Sequence, residues 1–289
     1  MIIADYSAIA VANIFVQNVQ NELNEDLLRH MTLNSLRMHN LKFKREFGQM
    51  YIACDHRSWR KSVYPQYKAS RSKGREESPI DWDEVYTWVE KIKNEIDQYS
   101  PYKVIHIEGA EADDIIATLV ETTQEFGKCE PVKIISNDKD FIQLQKYSNV
   151  SQFAPVLKKN LTDKDPTRYL FEHIVRGDSG DGVPNIFSDD DVFITEGKRQ
   201  SPVSKKKLEA LYQSWLTGKI EFEKVEHERN FQRNQKMVDL SQIPDDIRTK
   251  ILQRYEEVNT IPIPSSNTFL NYLIKNRCKK LISNLTEFY

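Results

Sequence analysis

Acidic residues follow each of the four most strand-like segments of this sequence. Ile2–Ala4 leads into Asp5 and Gln49–Cys54 into Asp55, whereas the other two segments lead into more than one acid. These are Lys103–Ile107, followed by Glu111, Asp113 and Asp114, and Pro131–Ser136, followed by Asp138 and Asp140. Helical patterns separate the segments, and strands that alternate with helices predict a parallel sheet covered on both faces. Because the carboxyl ends of parallel strands meet at one edge, we expect the acids to converge there.

The sequence becomes mainly helical after about residue 165. Predicted helices cover Pro166–Arg176, Ser204–Thr217, Ile220–Leu240, Pro244–Val258 and Asn267–Leu285, with glycine or proline in the turns between them. A chain of 289 residues is long enough for one large domain or two closely packed ones. We therefore predict an α/β fold with a parallel central sheet flanked by helices in residues 1–165 and a smaller helical C-terminal domain in residues 166–289.

Composition limits the functional classes. The net charge of −2 excludes a uniformly basic nucleic-acid binder, so such affinity would require segregated charge. The three cysteines are scattered singly, which argues against a disulfide framework and a thiolate zinc site. With no secretion signal and no run near the roughly 18 apolar residues of a membrane span, we expect a cytoplasmic protein with no membrane partner.

The acids suggest a site for divalent cations. Carboxylates only a few ångströms apart repel one another unless positive charge compensates them. Magnesium prefers oxygen ligands, so an all-acid set without His or Cys fits it. Two ions about 4 Å apart could activate a water and stabilise a leaving oxygen, which is phosphodiester hydrolysis chemistry. The six histidines do not cluster in sequence, so no histidine base is expected.

Structural roles for single acids remain open at this stage. Glu111, Asp113 and Asp114 could simply cap a helix, and Asp138 with Asp140 could form a turn. The pattern favours a site because acids follow every successive predicted strand.

A basic segment with no acid lies directly after Asp55. Its cations and aromatic residues are Arg57, Trp59, Arg60, Lys61, Tyr64, Tyr67, Lys68, Arg71, Lys73 and Arg75. Several of them recur at helical spacing, although Pro65 must interrupt a helix there. Cations can follow a phosphate backbone while rings stack on unpaired bases. A solvated basic loop is the structural alternative.

The combined motifs resemble the 5′ nuclease, or flap endonuclease, family. They are Asp55 with the basic run to Lys68, Glu111-Ala112-Asp113-Asp114, Ser136-Asn137-Asp138-Lys139-Asp140, and Gly177-Asp178 with Asp181-Gly182-Val183-Pro184. Their order and spacing match along most of the chain and are most similar to the ribonuclease H branch of T-even bacteriophages. The resemblance implies a PIN-like nuclease core with 5′→3′ exonuclease and flap endonuclease activity and removal of RNA primers.

The resemblance also implies roles for individual residues. Asp5, Asp55, Glu111 and Asp113 would surround a first Mg²⁺, with Mn²⁺ as a substitute. Asp138, Asp140 and Asp178 would hold or orient a second, with Asp114 and Asp181 as outer acids. Residues 56–85 would form an arch in which Lys68 and Arg71 steer the scissile phosphate. Substrate contacts would come from Arg57, Arg60, Lys61, Tyr64, Lys68, Arg71, Lys73 and Arg75.

The family places a helix-turn-helix-like DNA-binding element, sometimes with a monovalent cation, near Gly177–Pro184. This sequence departs there, because Asp189, Asp190 and Asp191 would repel a phosphate. Lys205, Lys206 and Lys207 could supply the duplex contact, or could be a solvated helix face. A nucleotide-binding loop at 177–182 is disfavoured because the Gly-Lys-Ser/Thr ending is missing.

The implied partners are DNA with a 5′ flap or nick, an RNA–DNA hybrid, a sliding clamp and a single-strand-binding protein. We expect a monomer in the host cytoplasm, with no N-terminal docking tail because the chain starts at its first strand.

An aspartyl-phosphate phosphatase is a competing hypothesis, but it needs a second Asp two residues after Asp5, where Ser7 stands. A non-catalytic DNA-binding relative would have lost motif acids, and none is missing.

Overall fold

A six-stranded sheet forms the centre of the protein in a computed structural model that describes residues 1–19 and 23–289, without the side chains of residues 16–19, 73 and 126. The strands are β1 (Ile2–Asp5), β2 (Met50–Cys54), β3 (Lys103–His106), β4 (Val132–Ile135), β5 (Val150–Ala154) and β6 (Lys159–Leu161). β1 to β5 pair in parallel, and β6 pairs antiparallel with β5 at one edge. The predicted parallel sheet is confirmed, while β5 and β6 were not predicted.

The strand order is β3-β2-β1-β4-β5-β6. The chain moves outward from β1 through β2 to β3, and then returns to the other side of β1 to form β4. The connections that leave β1 and β4 therefore run in opposite directions along the sheet, which makes the gap between these two strands a topological switch point. In open parallel sheets such a switch point leaves a crevice outside the carboxyl ends of the strands, where ligands bind.

Twelve α-helices lie within the described residues. They are α1 (Tyr6–Val19), α2 (Glu25–Phe47), α3 (Arg60–Val63), α4 (Ser70–Glu76), α5 (Trp82–Tyr99), α6 (Ala112–Gln124), α7 (Pro166–Arg176), α8 (Lys205–Leu216), α9 (Val225–Val238), α10 (Asp245–Thr260), α11 (Ser266–Lys275) and α12 (Lys279–Ile282). The predicted C-terminal helices match with two exceptions. The helix predicted from Ile220 begins only at Val225, and the last one is divided at Arg277, whose φ is +54°. No helix in the described part of the chain is both long and apolar enough to cross a bilayer.

Both faces of the sheet are covered by helices, some of them from the C-terminal half. On one face, Ile2 and Ile52 share a core with Phe269 of α11 and Phe288. On the other, Ile3 and Ile105 share a core with α6 and with Ile251 of α10. A third cluster joins α7, α8 and α9 to Tyr64 and Tyr67 of the basic segment. The division at residue 165 remains a prediction.

Candidate active site

Asp5 ends β1 at the switch point of the sheet. Its carboxylate accepts hydrogen bonds from the Ala8 amide at 2.9 Å and from the Ser136 hydroxyl, just beyond β4, at 2.8 Å. Burial, together with the negative charges of Asp55 and Asp138, raises the pKa of Asp5 to about 7. The carboxylate is therefore fixed where a nearby positive charge would stabilise its ionised form.

The acids that follow β2 and β3 meet at the start of α6. Asp55 accepts a hydrogen bond from the Ala112 amide at 2.8 Å, which places its carboxylate at the helix N-terminus. Asp113, the residue directly after Ala112, lines the same cleft, and burial together with the charge of Asp138 raises its pKa well above the usual value. The two negative groups thus share one helix end, where the orphan N–H groups favour anions.

Asp138 and Asp140 follow β4. Asp138 caps the 3₁₀ helix Lys139–Lys146 by accepting from the Asp140 amide at 2.9 Å, so the capping interpretation is correct for this residue. Burial and the charge of Asp140 raise the pKa of Asp138 to about 6, and they outweigh the capping hydrogen bond, which acts to lower it.

These acids surround one open cleft of about 770 Å³. Its lining contains six of the nine acids and two of the cations from the sequence analysis, namely Asp5, Asp55, Asp113, Asp138, Asp140, Asp178, Lys68 and Arg71. Their oxygen-rich donors and raised pKa values fit hard divalent cations, which would compensate the mutual repulsion.

Glu111 lies beside this cleft and is paired with cations of the basic segment. Its carboxylate accepts from Arg60 at 2.9 Å, from the Ser58 hydroxyl at 2.6 Å and from Lys68. Burial acts to raise the pKa of Glu111, but Lys68 and Arg60 outweigh it and lower the pKa to about 2. Glu111 is thus a charged anchor for Lys68.

Asp114 and Asp181 are also engaged by the protein's own side chains. Asp114 is fully buried, completes a capping box with Glu111, accepts from the Trp59 indole at 3.2 Å and forms an ion pair with Arg60 at 2.9 Å. Asp181 accepts from the Tyr67 hydroxyl at 2.9 Å and pairs with Arg71. Neither carboxylate lines the cleft.

Two residues expected to contact nucleic acid are buried. Arg60 is 2% exposed, since its guanidinium bonds to Glu111, Asp114 and the Met237 carbonyl. Tyr64 is 3% exposed and donates to the Asp190 carbonyl at 2.6 Å. Direct substrate contact was therefore the wrong expectation for both. The interruption predicted at Pro65 is present, because α3 ends at Val63.

The remaining cations of the basic segment are more accessible. Arg57, Lys61, Arg71 and Arg75 are exposed, and the Lys68 side chain is 18% exposed. The predicted contact at Lys73 lies outside the described side chains. Lys68 itself adopts a φ of +57°, and its amide donates to the Asp181 carbonyl at 2.7 Å. The middle of the segment is thereby attached to the loop that carries Asp178 and Asp181.

His173 of α7 is a site residue that the sequence analysis missed. Its Nε2 lies 3.2 Å from Asp140 and 3.7 Å from Asp178, so a histidine does stand among the acids. Burial acts to lower the pKa of His173, but Asp140 and Asp178 outweigh it and raise the pKa. The sequence feature that could have pointed to His173 is its position in α7, about one helical turn before the Gly177-Asp178 motif.

The helix-turn-helix-like element expected after α7 has no short turn in this chain. Residues 177–204, all of them described, contain no helix before α8. The three successive acids of this loop form ion pairs within the protein: Asp190 pairs with Arg229 and Arg233, and Asp189 and Asp191 pair with Lys198.

Two family models match the chain. The N-terminal, resolvase-like domain of 5′–3′ exonucleases matches residues 15–171, and the C-terminal domain of T4 ribonuclease H matches residues 164–288. Ribonuclease H of Enterobacteria phage T4 is 31% identical over 98% of this chain and 94% of the T4 protein. The chain belongs to the 5′–3′ exonuclease family, in the T4 ribonuclease H branch.

One further relative matches part of the chain, and one solved structure matches its fold. Flap endonuclease Xni of Shewanella sp. strain ANA-3 is 32% identical over 46% of this chain and 49% of its own. The bacteriophage T5 flap endonuclease, solved with DNA and metal ions, shares the fold with a TM-score of 0.65 at 13% identity, over 90% of this chain and 99% of the T5 chain. The two family models and the T4 relative confirm the predicted family, and the T5 structure confirms the predicted α/β fold.

Proposed function

We propose that the protein is a structure-dependent 5′ nuclease that hydrolyses phosphodiester bonds near free 5′ ends, removing 5′ flaps and RNA primers during phage DNA replication. One observation carries the proposal: six carboxylates from four strand ends and the Asp178 loop line a single cleft beside Lys68 and Arg71. The T4 relative is a ribonuclease H and the Shewanella relative a flap endonuclease, so both activities are proposed for this chain.

The cleft would hold two divalent cations, with Mg²⁺ as the ion proposed and Mn²⁺ as its substitute. Asp5, Asp55 and Asp113 would hold one ion, with Glu111 behind them, while Asp138, Asp140 and Asp178 would hold the other. When bound, such a pair activates water and compensates the charge of the leaving oxygen. The raised pKa values of Asp5 and Asp138 support this assignment, because positive charge in the cleft would favour their ionised forms.

Lys68 and Arg71 would hold the scissile phosphate. Both line the cleft, and both are oriented by acids outside it, Lys68 by Glu111 and Arg71 by Asp181. A cation fixed in this way loses little freedom when a phosphate arrives, so it can position the bond for in-line attack. Asp181 and Glu111 would accordingly act as positioning residues.

The exposed cations Arg57, Lys61 and Arg75 would follow the backbone of the 5′ strand, and Lys205 with Lys206 at the start of α8 would contact the duplex. Such contacts carry no base information, so junction shape and a free 5′ end would select the substrate.

We further propose that the protein is a monomer in the host cytoplasm and works with a sliding clamp and a single-strand-binding protein. We also propose that the chain divides into two domains, residues 1–165 and 166–289.

Cleavage of three 5′-labelled substrates tests the proposal. A flap, a nicked duplex and an RNA-primed duplex would each be incubated with the protein in Mg²⁺ and in EDTA. We expect Mg²⁺-dependent products at the junction or as short 5′ fragments. Tight binding without any cleavage in Mg²⁺ or Mn²⁺ would instead identify a DNA-binding protein that lacks catalytic activity.

A further inference from the structure

His173 stands between two acids of the cleft that come from different elements. Asp140 lies in the 3₁₀ helix after β4, and Asp178 lies in the loop after α7. One ligand atom from each of the three side chains lies within 4.8 Å of the other two, a spacing that permits them to hold one ion. An ion at this position would have one nitrogen donor and two carboxylate donors.

We propose that Nε2 of His173 is a direct ligand of the ion held by Asp140 and Asp178, which gives this position a preference for Zn²⁺-like transition ions over Mg²⁺. The inference rests on the proposed function, because it concerns one of the two ions proposed there. Imidazole suits Zn²⁺ and related ions, whereas Mg²⁺ takes oxygen ligands. Three protein ligands with a further position open to solvent is also the pattern of catalytic zinc sites.

The contacts around the three side chains support this geometry. Asp178 accepts from the amides of Gly180 at 2.7 Å and Asp181 at 3.2 Å through Oδ1, and its other oxygen, Oδ2, is the one nearest His173. The imidazole stacks on Tyr169, one turn earlier in α7, with the ring planes 15° apart. Both the ring and the carboxylate are therefore oriented by neighbours that do not occupy their metal-facing atoms.

A competing role for His173 is to donate a hydrogen bond from Nε2 to Asp140, 3.2 Å away, and so to orient that carboxylate without touching the ion. The two roles predict different distances between Nε2 of His173 and the ion. A ligating nitrogen lies about 2.0–2.1 Å from Zn²⁺, whereas an orienting imidazole keeps its nitrogen beyond bonding distance.

Anomalous diffraction from crystals of the full chain soaked in Zn²⁺ measures that distance. We expect a peak within bonding distance of His173 Nε2 and of one oxygen each from Asp140 and Asp178. A peak held by the two acids with Nε2 outside bonding distance, or no peak at this position while another ion occupies the cleft, would overturn the inference and leave the proposed function intact. Failure of Zn²⁺, Mn²⁺ and Mg²⁺ to bind anywhere in the cleft would overturn both.

Calorimetric titration supplies a second readout. We expect His173→Gln to weaken Zn²⁺ binding about tenfold or more, since even the loss of a residue that only orients a metal ligand lowers metal affinity by about 10–100-fold. We expect a smaller change in Mg²⁺ binding. His227→Gln is the matched control, since His227 lies in α9 against the Phe187 ring, away from the cleft lining. Equal losses for Zn²⁺ and Mg²⁺ in His173→Gln would contradict nitrogen ligation.

Discussion

At the scale of single residues, the carboxylates divide into two groups by their surroundings. Asp5, Asp113 and Asp138 face the cleft, and burial with mutual repulsion raises their pKa values. Glu111 and Asp181 face cations of the basic segment instead. The sequence predicted that all the acids would be near one another, but not this division, because the cations that pair with Glu111 and Asp181 are distant in sequence.

Replacing Lys68 with alanine should slow cleavage without removing the ions. The lost cation would no longer position the phosphate, and a group of this kind contributes about 10²–10³-fold to turnover. Single-turnover cleavage of a labelled flap measures the effect, with calorimetry for Mg²⁺ binding. Lys236→Ala, a lysine of α9 outside the cleft lining, is the matched control. Similar rates in the two variants would remove Lys68 from the proposed machinery.

Replacing Arg60 with alanine should destabilise the fold. The change leaves Glu111 and Asp114 buried without the guanidinium that both contact, and breaking a buried pair costs about 3–5 kcal/mol. Denaturant unfolding of Arg60→Ala beside Arg57→Ala, an exposed arginine of the same segment, gives the comparison. We expect a change within about 0.5 kcal/mol for Arg57→Ala. If both variants lost equally little stability, Arg60 would not be the structural cation described here.

At the scale of elements, the alternation of strands and helices predicted β1 to β4 and the acids at their ends. α1 was missed because its sequence, Tyr6–Val19, contains no charged residue and shows no clear polar face. The basic segment was predicted as a cationic helical face interrupted at Pro65, and the chain does turn between α3 and α4. That turn depends on tertiary contacts, notably the Lys68 amide with the Asp181 carbonyl, which helical spacing does not reveal.

The loop that carries Asp178 depends on Gly177. This residue has a φ of +67°, and an added Cβ would lie 2.3 Å from the Val183 carbonyl oxygen and 2.5 Å from that of Pro184. We expect Gly177→Ala to displace the loop, lower the thermal midpoint by several degrees and weaken metal binding.

Gly197→Ala is its matched control, because Gly197 also has a positive φ, +78°, but open space around it. We expect Gly197→Ala to lose only the free energy of unfolding that backbone strain costs, on the order of 1 kcal/mol, and to leave metal binding unchanged. Calorimetry and thermal unfolding of both variants separate the two contributions. An undiminished affinity for Mg²⁺ in Gly177→Ala would show that loop position does not matter for the site.

At the scale of the whole molecule, the site exists only once the strand order is formed. Asp5 and Asp138 become neighbours because β4 returns to the side of β1, an arrangement consistent with the predicted parallel sheet but not specified by it. The C-terminal helices α10 and α11 then complete both cores. His173 enters the cleft through the packing of α7 near the 3₁₀ helix that carries Asp140, a long-range contact that its position before Gly177-Asp178 does not specify.

The stability of the metal-free protein should fall as the pH rises. The pKa values of Asp5, about 7, and Asp138, about 6, lie above the value near 4 of an unfolded chain, so the folded state binds these protons more tightly. This stabilisation is complete below about pH 4 and is lost as the pH rises through about 6 to 7. We expect the free energy of unfolding in EDTA to decrease by roughly 2–3 kcal/mol between about pH 5 and pH 8, mostly through the buried Asp5, because Asp138 is exposed and solvent screens its contribution.

Saturating Mg²⁺ should remove most of that decrease, because ion binding favours the deprotonated acids. Denaturant unfolding across this pH range, with EDTA or with Mg²⁺, measures both curves. Stability in EDTA that rises with pH would show that the cleft acids are not held in the repulsive arrangement described.

The most direct test of the central claim, that the cleft acids hold ions for phosphodiester hydrolysis, is flap cleavage by Asp138→Asn. The substitution keeps the size of the side chain and removes its charge, so we predict that Mg²⁺-dependent cleavage is abolished while the affinity for flap DNA stays close to that of the unaltered protein. Unchanged turnover in this variant would contradict the account, because hydrolysis would then not depend on the charge of the acid at this strand end.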